Sequence, residues 1–148
     1  TGETKKVPSN IFIEVMKNTL KKRKCKFFIA TGNGKEEIEI LDQIIKSDLK
    51  EFCIPLNNLN ISKIIPIIKN CNVAICNDSS FSHLSAALNI PTIVLMTDTP
   101  LLYGSYSTLM HPILPEGVNT VSHDTLGKDK INPSKIQKKL DEILSNVS

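Results

Sequence analysis

No apolar run in this chain approaches the ~20 residues needed for a helical membrane span. No block of five or six like charges appears either, and 18 Lys and Arg against 15 Asp and Glu leave a net charge of only +3, so nothing reads as a nucleic-acid-binding arm. The four cysteines, Cys25, Cys53, Cys71 and Cys76, form no Cys-x-x-Cys pair and have no histidine partner at metal spacing. That argues against a structural zinc site and a disulfide framework, and it fits core thiols in a reducing cytosol. Gly32-Asn33-Gly34 lacks the third glycine of a dinucleotide fingerprint, which argues against a classical dehydrogenase. Internal repeats and low-complexity tracts are also missing.

What remains is the composition of one packed domain: 148 residues, 41% hydrophobic and 22% charged. Basic residues gather in two places, at Lys17, Lys21, Lys22, Arg23, Lys24 and Lys26, and again at Lys128, Lys130, Lys135, Lys138 and Lys139. Solvated helix faces explain both clusters, and attraction to an anionic membrane surface is the alternative.

Apolar periodicity changes repeatedly along the chain. Ile11, Phe12, Val15, Met16 and Leu20 recur at helical spacing, which predicts a helix over about 10–24 with Ser9 as its cap. Residues 25–31 read as a buried strand closed by Gly32-Asn33-Gly34, and 35–47 as a second helix. A short strand at 52–54, a helix at 62–71 entered at Ser62 with Pro66 near its first turn, and a strand at 73–76 follow. A helix over 80–88 ends at Asn89-Ile90-Pro91, and 92–96 is another strand. Residues 97–117 read as loop, with a weak strand near 119–122. Ile136, Leu140, Ile143, Leu144 and Val147 mark a closing helix. Apolar strands alternating with helices predict an α/β, Rossmann-like parallel sheet with helices on both faces. The chain runs from Thr1 straight into a helix, as though a strand should precede it, so a fragment of a longer polypeptide is expected.

The strand at 73–76 runs into Asn77-Asp78-Ser79-Ser80 and then a helix, placing small polar residues at the carboxyl edge of the sheet, where such sheets bind ligands. The first amides of that helix suit a phosphate or diphosphate, and His83 lies one turn further on. Taken alone, the same residues also fit an ordinary helix start, with Asp78 as N-cap and His83 as a satisfied, partly buried histidine.

The stretch from Asn77 to Thr92 resembles the motif Asp-Ser/Thr-Gly-x-x-His-Leu-x-Ala-Ala-Leu-x-x-Pro of glycosyltransferase family 9, the ADP-heptose:lipopolysaccharide heptosyltransferases. Thr4-Lys5-Lys6-Val7-Pro8 is similar to its Lys-x-Trp-Pro, and Gly32-Asn33-Gly34-Lys35-Glu36 to its glycine loop followed by an acid. The resemblance implies the C-terminal, nucleotide-sugar-binding half of a GT-B fold over 1–148. It implies a donor such as ADP-heptose with its diphosphate at Thr1 and Lys5, its nucleoside at Glu36, and the sugar diphosphate at Asp78, Ser79, Ser80 and His83. The chemistry the resemblance implies is inverting transfer with no cofactor and no metal. It further implies that the catalytic base, and contact with a lipopolysaccharide-type acceptor, belong to an N-terminal half outside this chain. The location implied is cytoplasmic, peripheral to the membrane, with no nucleic-acid partner.

Three positions depart from the family pattern: Ser80 stands where glycine is usual, Val7 where tryptophan is, and Met96-Thr97-Asp98-Thr99-Pro100 shortens Phe-Gly-Pro-Thr-Asp-Pro by a residue. Gly104-Ser105-Tyr106 resembles the Gly-Pro-Tyr that ends that segment. Two other readings stay open: a UDP-sugar 2-epimerase-like domain, which has Asp-Ser-Gly at the corresponding turn, and a non-catalytic nucleotide-binding or assembly domain. His111 and His123 read as surface or loop residues without a site.

Overall fold

Every strand pair in the structure is parallel, as expected of strands joined through helices. The structure is a computed structural model and describes residues 2–146; Thr1 and Val147 lie outside them. In chain order the elements are α1 (Ser9–Lys22), β1 (Phe27–Ile29), α2 (Lys35–Ile45), β2 (Cys53–Pro55), α3 (Ile61–Lys69), β3 (Ala74–Asn77), α4 (Ser80–Ala87), β4 (Thr92–Leu95), β5 (Met110–Ile113) and α5 (Pro133–Ser145). Short 3-10 turns at Glu3–Lys5, Lys50–Phe52, Leu101–Gly104 and Lys128–Lys130 join them.

The strands form two sheets among the described residues, β1-β2 and β3-β4-β5. A single continuous sheet is therefore not what forms: β1 and β3 do not pair. Ahead of α1, residues 2–8 carry the Glu3–Lys5 turn. All four residues of β4 are fully buried, because β4 has a strand on either side and helices above and below. One core packs Val15 of α1 and Ile136, Leu140 and Ile143 of α5 against Ile93 and Leu95. On the other side Ala86 meets Val94 and Met96, and Ile64 and Ile68 of α3 pack with Leu84, Leu88 and Ile90.

Several local expectations need correction. Ser9 is the first residue of α1 rather than its cap; Pro8 holds that place, and the Ser9 hydroxyl bonds Gln43. Asn60, not Ser62, caps α3, accepting from the Lys63 amide at 3.2 Å. Pro66 therefore lies inside the helix rather than in its first turn, and Asn70 Nδ2 donates to its carbonyl at 2.7 Å. The stretch read as loop contains β5, which pairs Thr92–Leu95 with Met110–Ile113. Its Pro112 is tolerated because β5 is an edge strand. His111 thus sits on a strand, half-buried, with its pKa pushed down chiefly by burial. No strand forms near 119–122, although Val121 is buried.

The end of α4 fixes how the chain enters β4. Asn89 adopts φ 62°, the left-handed conformation that asparagine tolerates, and the Asn89 and Ile90 amides return to the Ala86 and Ser85 carbonyls at 3.0 Å each. Pro91 then starts the run into β4. The short β3-α4-β4 crossover is locked at both ends, so the residues after β3 and those after β4 emerge side by side.

Candidate functional site

Asp78 directly follows β3 and is 6% exposed, too buried for a carboxylate to remain without partners. It finds two. Lys5 Nζ approaches Asp78 Oδ2 at 3.2 Å, and the Thr99 hydroxyl, from the loop after β4, donates to the same oxygen. The N-cap of α4 is Ser79, whose side chain makes no capping bond, so Asp78 is a buried anchor rather than a helix cap. The Ser79 carbonyl takes the Ser82 amide at 3.1 Å and the Ser82 hydroxyl at 2.7 Å.

The segment before α1 is drawn over this carboxyl edge by consecutive contacts. The Val7 amide donates to Asn77 Oδ1 at 3.3 Å, and the Thr97 hydroxyl donates to the Thr4 carbonyl at 3.0 Å. The buried Val7 side chain joins the core with Val15 and Ile93, which explains how an apolar residue smaller than tryptophan still seats the segment. With its backbone held, Lys5 turns toward Asp78 while Lys6 Nζ reaches Glu36 Oε2 at 2.7 Å and Glu3 at 3.7 Å. The bond to Glu36 is the main reason the Lys6 pKa is raised.

Glu36 and Glu37, adjacent at the start of α2, divide their work. Glu37 Oε2 accepts from the Gly34 amide at 3.1 Å and closes the helix end. A Cβ at Gly32 would meet that carboxylate, with Oε1 2.8 Å away, and a side chain there would push Glu37 off its bond to Gly34. Glu36 is left projecting, its side chain 69% exposed, with Lys6 as its partner.

The structure brings together Lys5, Asp78 and, on the first turn of α4, Ser79 and Ser80. Glu36 joins them through the Lys5-Lys6 pair. Ser80 is exposed, occupies the first helical position and keeps an ordinary negative φ, so the glycine usual in that place is not required by the backbone. His83, half-buried, places Nδ1 2.7 Å from the Tyr106 hydroxyl. Thr1 lies outside the described residues.

Sequence reasoning did not assign Thr97, Thr99, Asp98 or Lys128 to this edge. Asp98 is buried and takes the Leu126 amide at 2.8 Å, the leading cause of its lowered pKa. The Gly127 amide bonds the Thr97 carbonyl at 2.9 Å, and Lys128 Nζ reaches Glu3 Oε1 at 2.8 Å. Only the polar run Thr97-Asp98-Thr99 directly after an apolar strand could have signalled them.

Other features do not converge here. A groove along α1 and α5, lined by Asn18, Gln137, Asp141 and Asn146, lies away from these loops. Several of the clustered cations are paired, Lys22 and Arg23 with Asp141, Lys17 with Asp48 and Lys139 with Glu142, which weakens a membrane-binding reading of the two basic clusters. Among the described residues no helix is long and apolar enough to cross a membrane.

Comparison with known proteins gives a consistent answer. The family described as glycosyltransferase family 9 (heptosyltransferase) matches residues 1–123. The chain is 35% identical over 75 residues to lipooligosaccharide heptosyltransferase 2 of Haemophilus influenzae, an alignment covering 49% of this chain and 22% of that protein. Among solved structures it is similar to the E. coli heptosyltransferase WaaC with ADP, with a TM-score of 0.79 at 17% identity, covering 97% of this chain and 41% of that one. It is likewise similar to the E. coli ADP-heptose lps heptosyltransferase II, with a TM-score of 0.74 at 19% identity, covering 98% and 44%. The chain thus spans less than half the length of these relatives, and the expected Rossmann-like half of a GT-B fold is the fold found.

Proposed function

For a chain that belongs to glycosyltransferase family 9, the heptosyltransferase family, we propose that its carboxyl edge is the donor-binding half of a transferase. That enzyme would move heptose or a similar sugar from a nucleotide diphosphate sugar, ADP-heptose first, to a lipopolysaccharide-type acceptor. The observation that carries this reading is the meeting of Lys5, Asp78 and the start of α4 at one sheet edge. An ammonium suits a diphosphate as a compact point charge, and the orphan amides of a helix start add donors without desolvating another charge.

Asp78 accepts hydrogen bonds and repels phosphate, so its part is to hold Lys5 and Thr99 rather than to touch the diphosphate. The projecting Glu36 is the group suited to accept from ribose hydroxyls, once Lys6 yields to them. When the sugar leaves, negative charge grows on the diphosphate, and Lys5, with the dipole of α4, stabilises it where it develops. This assigns leaving-group charge to the protein and calls for no metal. The acceptor hydroxyl must lose a proton to a base, which we place on the N-terminal half together with the acceptor. Work at the cytoplasmic face of a membrane follows from that acceptor.

Calorimetric titration with ADP, UDP and GDP tests the reading. ADP preference, insensitive to EDTA and lost in Lys5→Ala, is the expected result. Preference for UDP favours the epimerase-like alternative, and indifference to all three favours an assembly domain. Sugar transfer by the 148 residues alone would overturn the division of labour between two halves.

A further inference from the structure

The contact between His83 and Tyr106 joins two elements at the donor-binding edge. His83 is the fourth residue of α4, one turn beyond Ser79 and Ser80. Tyr106 comes from a different element, just after the Leu101–Gly104 turn that follows β4. Their rings stack with centroids 5.6 Å apart and planes 11° from parallel, while the Tyr106 hydroxyl lies 2.7 Å from His83 Nδ1. Tyr106 is 55% exposed, so hydrophobic burial does not explain why it sits there.

Its approach is prepared locally. Gly104 is buried against β4, and a Cβ there would collide with the Met96 sulfur and come within 3.3 Å of Val94 Cγ1. The absence of a side chain lets the turn lie flat on the end of β4, and two residues later Tyr106 reaches α4.

We propose that Tyr106 is a positioning residue: its hydroxyl donates to His83 Nδ1, which fixes the neutral imidazole with its proton on Nε2 and makes Nε2–H the free donor toward the anion bound at the start of α4. The chemistry follows from the partners. A phenol is the better proton donor of the two and a neutral imidazole nitrogen the better acceptor, so the proton stays on the hydroxyl and Nδ1 is committed to it. The other nitrogen must then carry the ring proton. The stack fixes the ring plane as well, so both the identity and the direction of the donor are set before ligand arrives. This rests on the donor-binding reading for the anion, but the hold of Tyr106 on His83 stands or falls separately.

The test uses the whole chain and two readouts. Long-range 1H–15N correlation at mildly alkaline pH reports which ring nitrogen of His83 is protonated. The wild type should show one tautomer, Nε2–H, and Tyr106→Phe, which keeps the stack and removes the hydroxyl, should show a mixture. ADP affinity should fall roughly three- to tenfold in Tyr106→Phe, the worth of one oriented hydrogen bond. His83→Ala should lose as much or more, and the double variant should lose no more than His83→Ala, because Tyr106 acts only through His83. An Nδ1–H tautomer in the wild type, an unchanged tautomer in Tyr106→Phe, or additive losses would each overturn the proposal. If the wild type binds no ADP, the donor-binding reading fails and the nitrogen shifts alone decide whether Tyr106 holds His83.

Discussion

Lys5 and Asp78 are 73 positions apart in sequence and meet at 3.2 Å at the carboxyl end of β3. The aspartate is nearly fully buried and the lysine about two-thirds so, which makes this the least solvated ion pair of the carboxyl edge. Removing Lys5 leaves the nearly fully buried Asp78 carboxylate with only the neutral Thr99 hydroxyl, whereas removing Asp78 frees an ammonium that is already about one-third exposed and can turn to water. Lys5→Ala should therefore cost about 2–3 kcal/mol of stability, and Asp78→Ala, which leaves the Thr99 hydroxyl without its acceptor, about 1–2 kcal/mol. Lys5→Ala should also lose nucleotide affinity while still folded. Urea denaturation paired with ADP titration checks both; a Lys5→Ala variant as stable as the wild type contradicts the reading of Asp78 as a buried charge held by its partner.

Acid should weaken the same edge through a different residue. The Leu126 amide, which donates at 2.8 Å, holds the Asp98 carboxyl below its ordinary value against the opposing effect of burial, with smaller help from Thr4, the nearby His123 and Thr125. A carboxyl whose folded value is depressed contributes stability above its unfolded value, about 3.9, and loses that contribution as pH falls through the folded value. Asp98→Asn should therefore be less stable than the wild type at pH 7. The two should converge as pH drops below the ordinary aspartate range. Denaturation midpoints of both proteins between pH 7 and pH 2 give the answer, and a gap that persists at the acid end counts against Asp98.

How far the sequence could foresee this edge depended on whether the signal was local. Asn77 through Pro91 carried its own punctuation, an apolar strand, small polar residues, then Asn89 and Pro91, and the β3-α4-β4 unit was readable from it. β5 was not, since Pro112 and His111 interrupt a four-residue strand that is held by pairing with β4 and not by its own pattern. The division between Glu36 and Glu37 was likewise invisible, because adjacent acids differ only in which one the loop at Gly32 and Gly34 turns inward. Thr99 and Lys128 reach the site from loops after β4 and before α5, and no spacing rule links positions that far apart.

Cysteine reactivity provides a probe of packing beside the site. Burial raises all four thiols, and Cys76, next to Asn77 in β3, is pushed up to about 12. A bond from Ser85 of α4 opposes the shift without cancelling it. Since the thiolate is the nucleophile, iodoacetamide at pH 8 should modify Cys76 more slowly than Cys25, Cys53 or Cys71. Peptide mapping over a time course orders the four; early labelling of Cys76 would mean that β3 and α4 open readily in solution.

The separation of β1-β2 from β3-β4-β5 leaves strand edges whose chemistry is unusual for exposed edges. The Leu56 amide bonds the Ile29 carbonyl, so Phe27 and Ile29 direct their backbone groups to β2 and, by the two-residue alternation of a strand, Phe28 directs its own to the other edge. In β3 the Ala74 amide bonds the Pro91 carbonyl, which turns Ile75 away from β4 in the same manner. Neither Phe27-Phe28-Ile29 nor Ala74-Ile75-Cys76 contains a charge or a proline, the usual protections of an open edge. The side chains of Phe28 and Ile54, paired across β1 and β2, add an exposed apolar face at 42% and 40%. The amides of Phe28 and Ile75 should therefore exchange with solvent orders of magnitude faster than those of Ile93 and Val94 in the doubly paired β4, despite similar hydrophobicity. Self-association at high concentration should follow from the same edges, and Phe28→Lys should reduce it by placing a charge on the apolar face while the Phe27 and Ile29 core stays intact. Residue-resolved hydrogen exchange and sedimentation of the two proteins test this together, and protection at Phe28 equal to that at Ile93 in a dilute monomer would show that the edge is covered by something other than a second copy.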